Sequence, residues 1–150
     1  MSTLTSVGPW TPKNPDYERV VHEAFAAQTA MALIQASLDH VGPGTVDIGL
    51  ACHAQIMSHV PPVVHGGTIG MLADSAMGFA ALTLAPAGGT GVTAEYKINM
   101  LAPAIGDRLS ARGSVVKPGS KITVAQVEVF VTNEGHEKLI ATALGTLVSL

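Results

Sequence analysis

The sequence predicts an α+β fold, an antiparallel sheet of about six strands wrapped around one central helix. Three observations carry this. The hydrophobic spacing switches between the helical and the two-residue period in the order helix, two strands, helix, four strands. The second helical segment, residues 68–84, is apolar on nearly every face, and such a helix has to be enclosed by other structure. Short turns, Gly42-Pro43-Gly44, Pro118-Gly119-Ser120 and Asn133-Glu134-Gly135, separate strand candidates as antiparallel neighbours require. Six strands is an ordinary sheet size, and only the second helix is apolar enough to fill its concave side.

Each element has its own signal. Pro9, Pro12 and Pro15 make residues 1–13 an extended N-terminal arm. A first helix begins with Asn14 as cap, Pro15 at its first position and Asp16 and Glu18 in its first turn. Tyr17, Val20, Val21, Ala24 and Phe25 follow at helical spacing, and the pattern changes near Ala30. Residues 31–41 and 45–53 read as two strands, with Val46, Ile48, Leu50 and Cys52 alternating in the second. After the second helix, Val92, Ala94, Tyr96, Ile98 and Met100 alternate with Thr93, Glu95, Lys97 and Asn99. The latter face is expected to be exposed or at an interface. Residues 108–117, 122–132 and 138–148 complete the set. Short links from the third strand onward predict an antiparallel meander.

Composition agrees with one domain over residues 1–150, without linker, internal repeat or low-complexity stretch. The charged fraction is 13% against 47% hydrophobic, well below the usual quarter or so of charged residues. Apolar surface on that scale is buried in a rich core and in an oligomer. A net charge of −3 argues against nucleic acid as a partner. The bases are uneven: only Lys13 and Arg19 precede residue 91, whereas six of the eight follow it. Cys52 is the single cysteine, which excludes an internal disulfide and points to a reducing, cytoplasmic setting. Residues 1–10 lack the basic and apolar regions of a signal peptide. Residues 68–87 raise the question of a membrane span, but Asp74 and the alternating strands that follow favour a buried helix and no membrane partner.

Asp74 is the residue that needs explaining. It stands in the apolar helix between Met71-Leu72-Ala73 and Ala76-Met77, and no Lys or Arg occurs between Arg19 and Lys97 to neutralise it. Burying an unpaired carboxylate costs several kcal/mol. Gly66, Gly70, Asp74 and Gly78 recur every four residues and share one helix face. Each interior glycine costs about 1 kcal/mol against alanine, so close approach of another backbone or a thin ligand is expected on that face. Gly66 and Gly67 stand at the helix start, where unpaired N–H groups and the positive dipole end can hold a developing oxyanion. A carboxylate held by Ser or Thr hydroxyls for packing alone is the alternative at Asp74.

The run HGGTIGMLADSAMGFAAL, His65-Gly66-Gly67 followed after six residues by Asp74, resembles the phenylacetate-pathway branch of the hotdog acyl-CoA thioesterases. The segment VTAEYKINMLAPAIGD resembles the stretch that follows in that family, and the likeness covers nearly the whole chain from Ala27. The resemblance implies a hotdog fold and hydrolysis of an acyl-CoA. It implies Asp74 as nucleophile or general base, the Gly66 N–H as oxyanion hole, and His65 shaping the helix entry. It also implies a dimer as minimal unit, with Gly66 of one chain facing Asp74 of the other, and a homotetramer of two dimers. No cofactor is implied, coenzyme A being part of the substrate. The chain departs from the family at His59, where Asn or Gln usually holds the water or thioester, and in Val60-Pro61-Pro62-Val63, which lacks the usual glycine.

Further substrate-binding candidates are Gly67, Met77 with Met71 and Phe79 in an apolar pocket, and Arg112, Lys117 and Lys121 toward the phosphates of coenzyme A. An ordinary solvated hairpin end explains the last group equally well. His53, His59 and His65 recur at six-residue intervals but on three different elements, so no metal site is expected. Cys52 reads as a small buried hydrophobe rather than a nucleophile. Two other functions compete. One is a non-catalytic acyl-CoA-binding or sensing hotdog protein, which His59 keeps open. The other is a hotdog dehydratase, disfavoured because the loop after the histidine lacks that branch's proline and glycine pattern.

Overall fold

A computed structural model of the chain describes residues 8–150, so residues 1–7 of the expected arm lie outside the described residues. Helix α1 spans Tyr17–Ala27. The helix starts two residues later than the sequence suggests, with Asp16 and not Asn14 at the cap position, while Asn14 closes the preceding turn: its Oδ1 accepts from the Asp16 N–H at 3.0 Å and its carbonyl from the Tyr17 N–H at 3.2 Å. Its Phe25 meets Phe79 of the central helix with ring centroids 5.7 Å apart. The arm is less free than its prolines suggest. The Trp10 indole N–H donates to the Val115 carbonyl at 3.2 Å, and the ring lies against Gly44.

The first strand is shorter than the sequence suggests. Thr29–Leu33 forms a short helix, α2, because Ala, Met and Leu favour that conformation and Met31 is buried there. Gln35, with φ at 62°, ends it and turns the chain into β1, Ser37–Gly42. Then follow β2 (Thr45–Ala51), a 3-10 turn (Ala54–Ile56), α3 (Gly66–Leu82), β3 (Gly91–Met100), β4 (Arg108–Lys117), β5 (Ile122–Asn133) and β6 (His136–Ser149).

The six strands form one sheet in the order β1-β2-β4-β5-β6-β3, every pairing antiparallel. The helix-on-sheet arrangement is the expected one, but the meander is confined to β4, β5 and β6. β3 pairs with β6 and not with β4. The link between them crosses the ends of the intervening strands with a backbone bond at each step. Leu101 and Ala102 donate to the Ile140 carbonyl of β6, Asp107 to Thr132 of β5, and Cys52 after β2 donates to Asp107.

Helix α3 packs on the inner sheet face, where Val46, Ile48, Leu109, Val127, Val129 and Ala141 are wholly buried. Contact is close enough to need glycine. A Cβ on Gly113 of β4 would collide with the carbonyl of Ala76. Among the described residues no helix is long and apolar enough to cross a membrane.

Candidate active site

The helix start prepares one half of the site. His65 has extended backbone, φ −61° and ψ 132°, and its Nδ1 accepts from the Gly67 N–H at 2.8 Å. Its own N–H donates to the Ile56 carbonyl at 2.9 Å, which fixes the entry of the chain. Gly67 is therefore already engaged by the cap. The Gly66 N–H has no acceptor among the described residues, and Gly66 is exposed at the positive end of a 17-residue helix.

Asp74 lies on the same helix face, eight residues on, a rise of about 12 Å. It is partly exposed rather than sealed in the core. The Thr93 hydroxyl donates to its Oδ1 at 2.7 Å. Among the described residues no cation pairs with it.

The glycine face is the face that β3 covers. The methyl of Met100 lies 3.6 Å from where a Gly66 Cβ would stand, and the Tyr96 hydroxyl 3.0 Å from where a Gly70 Cβ would stand. At the next turn Thr93 reaches Asp74. At Gly78, one turn further, nothing lies within 4 Å of a Cβ. There a cavity of about 760 Å³ opens, lined by Asp74, Gly78, Phe79 and Leu82 of α3, Gln28 between α1 and α2, and Val92 and Thr93 of β3.

Thr93 was expected to point away, on the face shared with Glu95 and Lys97. A bulge between Thr93 and Glu95 changes that. Thr93 pairs with Leu147, Glu95 with Thr146 and Tyr96 with Gly145, so Ala94 is the extra residue. The extra residue shifts the alternation and brings Thr93 to the inner side with Tyr96, Ile98 and Met100. The site residue that alternation misses is set by this one-residue irregularity. Gln28, whose Oε1 accepts from the Ser75 hydroxyl at 3.4 Å, is a second polar group of the cavity that the sequence did not single out.

The other candidates are spread out. His59 is exposed in the loop before α3, with no hydrogen-bond partner among the described residues, and does not line the cavity. Met77, expected in an apolar pocket, is fully buried on the sheet side of α3, its methyl over Gly145. Phe79 does line the cavity, while Met71 packs half-buried against the core. Arg112 is taken up on β4, paired with Glu137 and stacked 4.4 Å over the Phe130 ring, away from Asp74. Lys117 and Lys121 are exposed and flank Pro118-Gly119-Ser120, which lines the far end of the cavity.

His53 is tied to Gln55 and the Ile34 carbonyl. Cys52 is half-buried, and burial together with Asp107 pushes its thiol up, opposite to what a nucleophile needs. Among the described residues no group of three His, Cys, Asp or Glu could hold a metal ion.

Comparison with known proteins follows the same lines. A model of the thioesterase superfamily matches residues 62–137, the stretch that holds Gly66, Asp74 and Thr93. The solved structure of a thioesterase family protein from Silicibacter pomeroyi is 35% identical with a TM-score of 0.87, covering 89% of this chain and 98% of that one. The PaaI protein of the phenylacetic acid degradation operon of E. coli shares the fold, with a TM-score of 0.79 at 19% identity over 90% of this chain and 94% of that one. A Saccharolobus solfataricus protein with a provisional esterase name is 32% identical over 92 residues, 61% of this chain and 59% of its own length. The chain thus matches rather more than half of that relative. The six-stranded antiparallel sheet with a long helix against it is the hotdog thioesterase fold.

Proposed function

Since the chain belongs to the thioesterase superfamily, we propose that it hydrolyses an acyl- or aryl-acyl-CoA thioester to the free acid and coenzyme A. The observation that carries the reading is the pairing of an unengaged Gly66 N–H with a Thr93-held carboxylate at Asp74 on one helix face. Asp74 serves in one of two ways. As base, it takes a proton from a water whose oxygen attacks the thioester carbonyl carbon. As nucleophile, it bonds to that carbon itself, and water then cleaves the mixed anhydride. In both routes the carbonyl oxygen gains negative charge facing the Gly66 N–H. The C–S bond breaks, and the sulfur leaves as a thiolate that takes up a proton. Thr93 occupies Oδ1 and so leaves Oδ2 directed to the reacting atom.

A separation of about 12 Å along one helix is too long for both groups to reach a single carbonyl. The site is therefore shared: Gly66 of one chain faces Asp74 of a second, in a homodimer that pairs into a homotetramer. Exposed Tyr96 and Met100 on the edge strand β3 favour that face for the contact. The spacing His65-Gly66-Gly67 to Asp74 supports the phenylacetate-type branch, and the lone Cys52 a cytoplasmic setting.

His59, exposed and without a partner where the family has an amide, supports a second reading as a non-catalytic acyl-CoA-binding protein. Thiol release from a panel of acyl-CoAs decides between them. Wild type is expected to turn over and Asp74→Asn to be at least a hundredfold slower, with acyl-CoA binding retained. Binding without release by wild type selects the second reading, and equal rates in both proteins remove Asp74 from the chemistry.

A further inference from the structure

Of the three glycines on the Asp74 face, Gly70 is accounted for by the protein itself, since a Cβ there would press on the Tyr96 hydroxyl at 3.0 Å. Gly66 is accounted for by its place at the helix start, where its N–H is unengaged. Gly78 has neither account. Its helical backbone has no positive φ, and no atom lies within 4 Å of a Cβ built on it. Glycine is among the poorest helix formers, so its presence here has no local benefit. What it does is leave open floor in the cavity one turn beyond Asp74. Ala24, Phe79, Leu82 and Val92 give the lining an apolar share beside the polar Gln28, Ser75 and Thr93. The cavity volume, about 760 Å³, lies within the range of small-molecule sites.

We infer that Gly78 sets substrate size: the missing side chain makes room for the acyl group of the thioester, which runs from Asp74 along α3 past Gly78 toward Leu82. The inference rests on the hydrolase reading above for the placement of the thioester at Asp74. The length of helix from Asp74 to Leu82, about 12 Å, suits a medium-length chain or an aromatic ring and far exceeds what an acetyl group fills. The substrate class assigned is therefore a bulky apolar acyl- or aryl-acyl-CoA. A side chain at residue 78 would stand where the acyl carbons run, whereas it would leave a two-carbon acyl group untouched.

The test compares wild type, Gly78→Ala and Gly78→Leu on acetyl-, decanoyl- and phenylacetyl-CoA. Thiol release is read alongside calorimetric binding of the uncleavable S-ethyl- and S-decyl-CoA thioethers. Gly78→Leu is expected to lose more than tenfold in kcat/KM on the two bulky substrates and in affinity for the decyl thioether. Acetyl-CoA turnover and ethyl thioether binding should stay within about twofold of wild type, with Gly78→Ala intermediate. Equal losses on short and long ligands would put the pantetheine arm at Gly78 and overturn the inference. Unchanged rates and affinities overturn it as well. A change in oligomeric state on light scattering, with size preference intact, would put a second copy of the chain over Gly78 and overturn it too. If wild type cleaves nothing but Gly78→Leu still loses the decyl thioether selectively, the hydrolase reading falls and the size-setting role stands.

Discussion

The Thr93 hydroxyl donates to Asp74 Oδ1 at 2.7 Å across the gap between a sheet edge and the central helix. The bond exists because a bulge at Ala94 turns Thr93 inward. If it aims the carboxylate, its loss should act on turnover. Thr93→Val is expected to lower kcat about tenfold, about 1.4 kcal/mol, with KM little changed. Thr93→Ser should keep most of the rate, since it keeps the hydroxyl. Steady-state kinetics of the two variants checks this, and equal activity in both would limit Thr93 to packing.

A shared site can be tested by complementation. Gly66→Pro removes the N–H donor at a helix position that proline suits, after a residue already extended at ψ 132°. It should be inactive yet folded. Mixed with inactive Asp74→Asn, it should form hybrid dimers with one intact site and regain part of the wild-type rate. Absence of recovery after proven subunit exchange would mean that each chain works alone.

At His59 the expected order is His59→Gln active and His59→Ala more than tenfold slower than His59→Gln, again about 1.4 kcal/mol. The residue is exposed in its own chain, so the difference should appear only in the oligomer, where a second copy can present a ligand to it. Equal rates for Ala and wild type would make it a bystander.

Most of the fold was legible because α3 is apolar on all sides and β2, β4, β5 and β6 alternate cleanly. Asp74 and Gly66 stand out in the sequence for a related reason, since a carboxylate and glycines in an apolar helix break local rules, while His65 is named through the family resemblance. Three features were not legible. The β3–β6 pairing joins residues about fifty positions apart, and local spacing carries no information about it. The helical turn at Thr29–Leu33 sits in a run that suits either state. Thr93 was assigned to the wrong face because an alternating pattern cannot show a bulge.

The close contact of α3 with the sheet gives a stability prediction. Gly113→Ala would drive a Cβ into the Ala76 carbonyl and the Met77 amide, backbone atoms that cannot move aside without shifting the helix. A loss of about 1–3 kcal/mol is expected, read as a lower denaturation midpoint. A midpoint equal to wild type would show that the helix floats on the sheet.

Asp47, on β2 between His40 of β1 and Arg112 of β4, has its carboxyl raised above the ordinary range. Burial is the main cause and Asp39 adds to it, while His40 and Arg112 oppose it. A raised carboxyl binds its proton more tightly when folded, so its contribution is favourable in acid and is lost as pH rises through the folded value. Asp47→Asn should therefore melt slightly higher than wild type at pH 7, by about 1–2 °C once solvent screening is allowed for. The gap should close as pH falls toward the ordinary carboxylate value of about 3.9. A lower melting temperature for the variant at pH 7 would show that the attraction of Arg112 and His40 outweighs burial.

The strand order also has a consequence for how the protein comes into being. β3 has a single strand neighbour, β6, and β6 is made some forty residues after it. A chain still on the ribosome can have α3, Asp74 and Thr93 all outside the exit tunnel and still have nothing to hold β3 in place. Until residues 141–149 arrive, Thr93 has no fixed position, and the side chains that cover Gly66 and Gly70 stay loose. The carboxylate at residue 74 is synthesised well before the strand that fixes its partner, so the nascent chain carries its reactive group unaimed until β6 has been made.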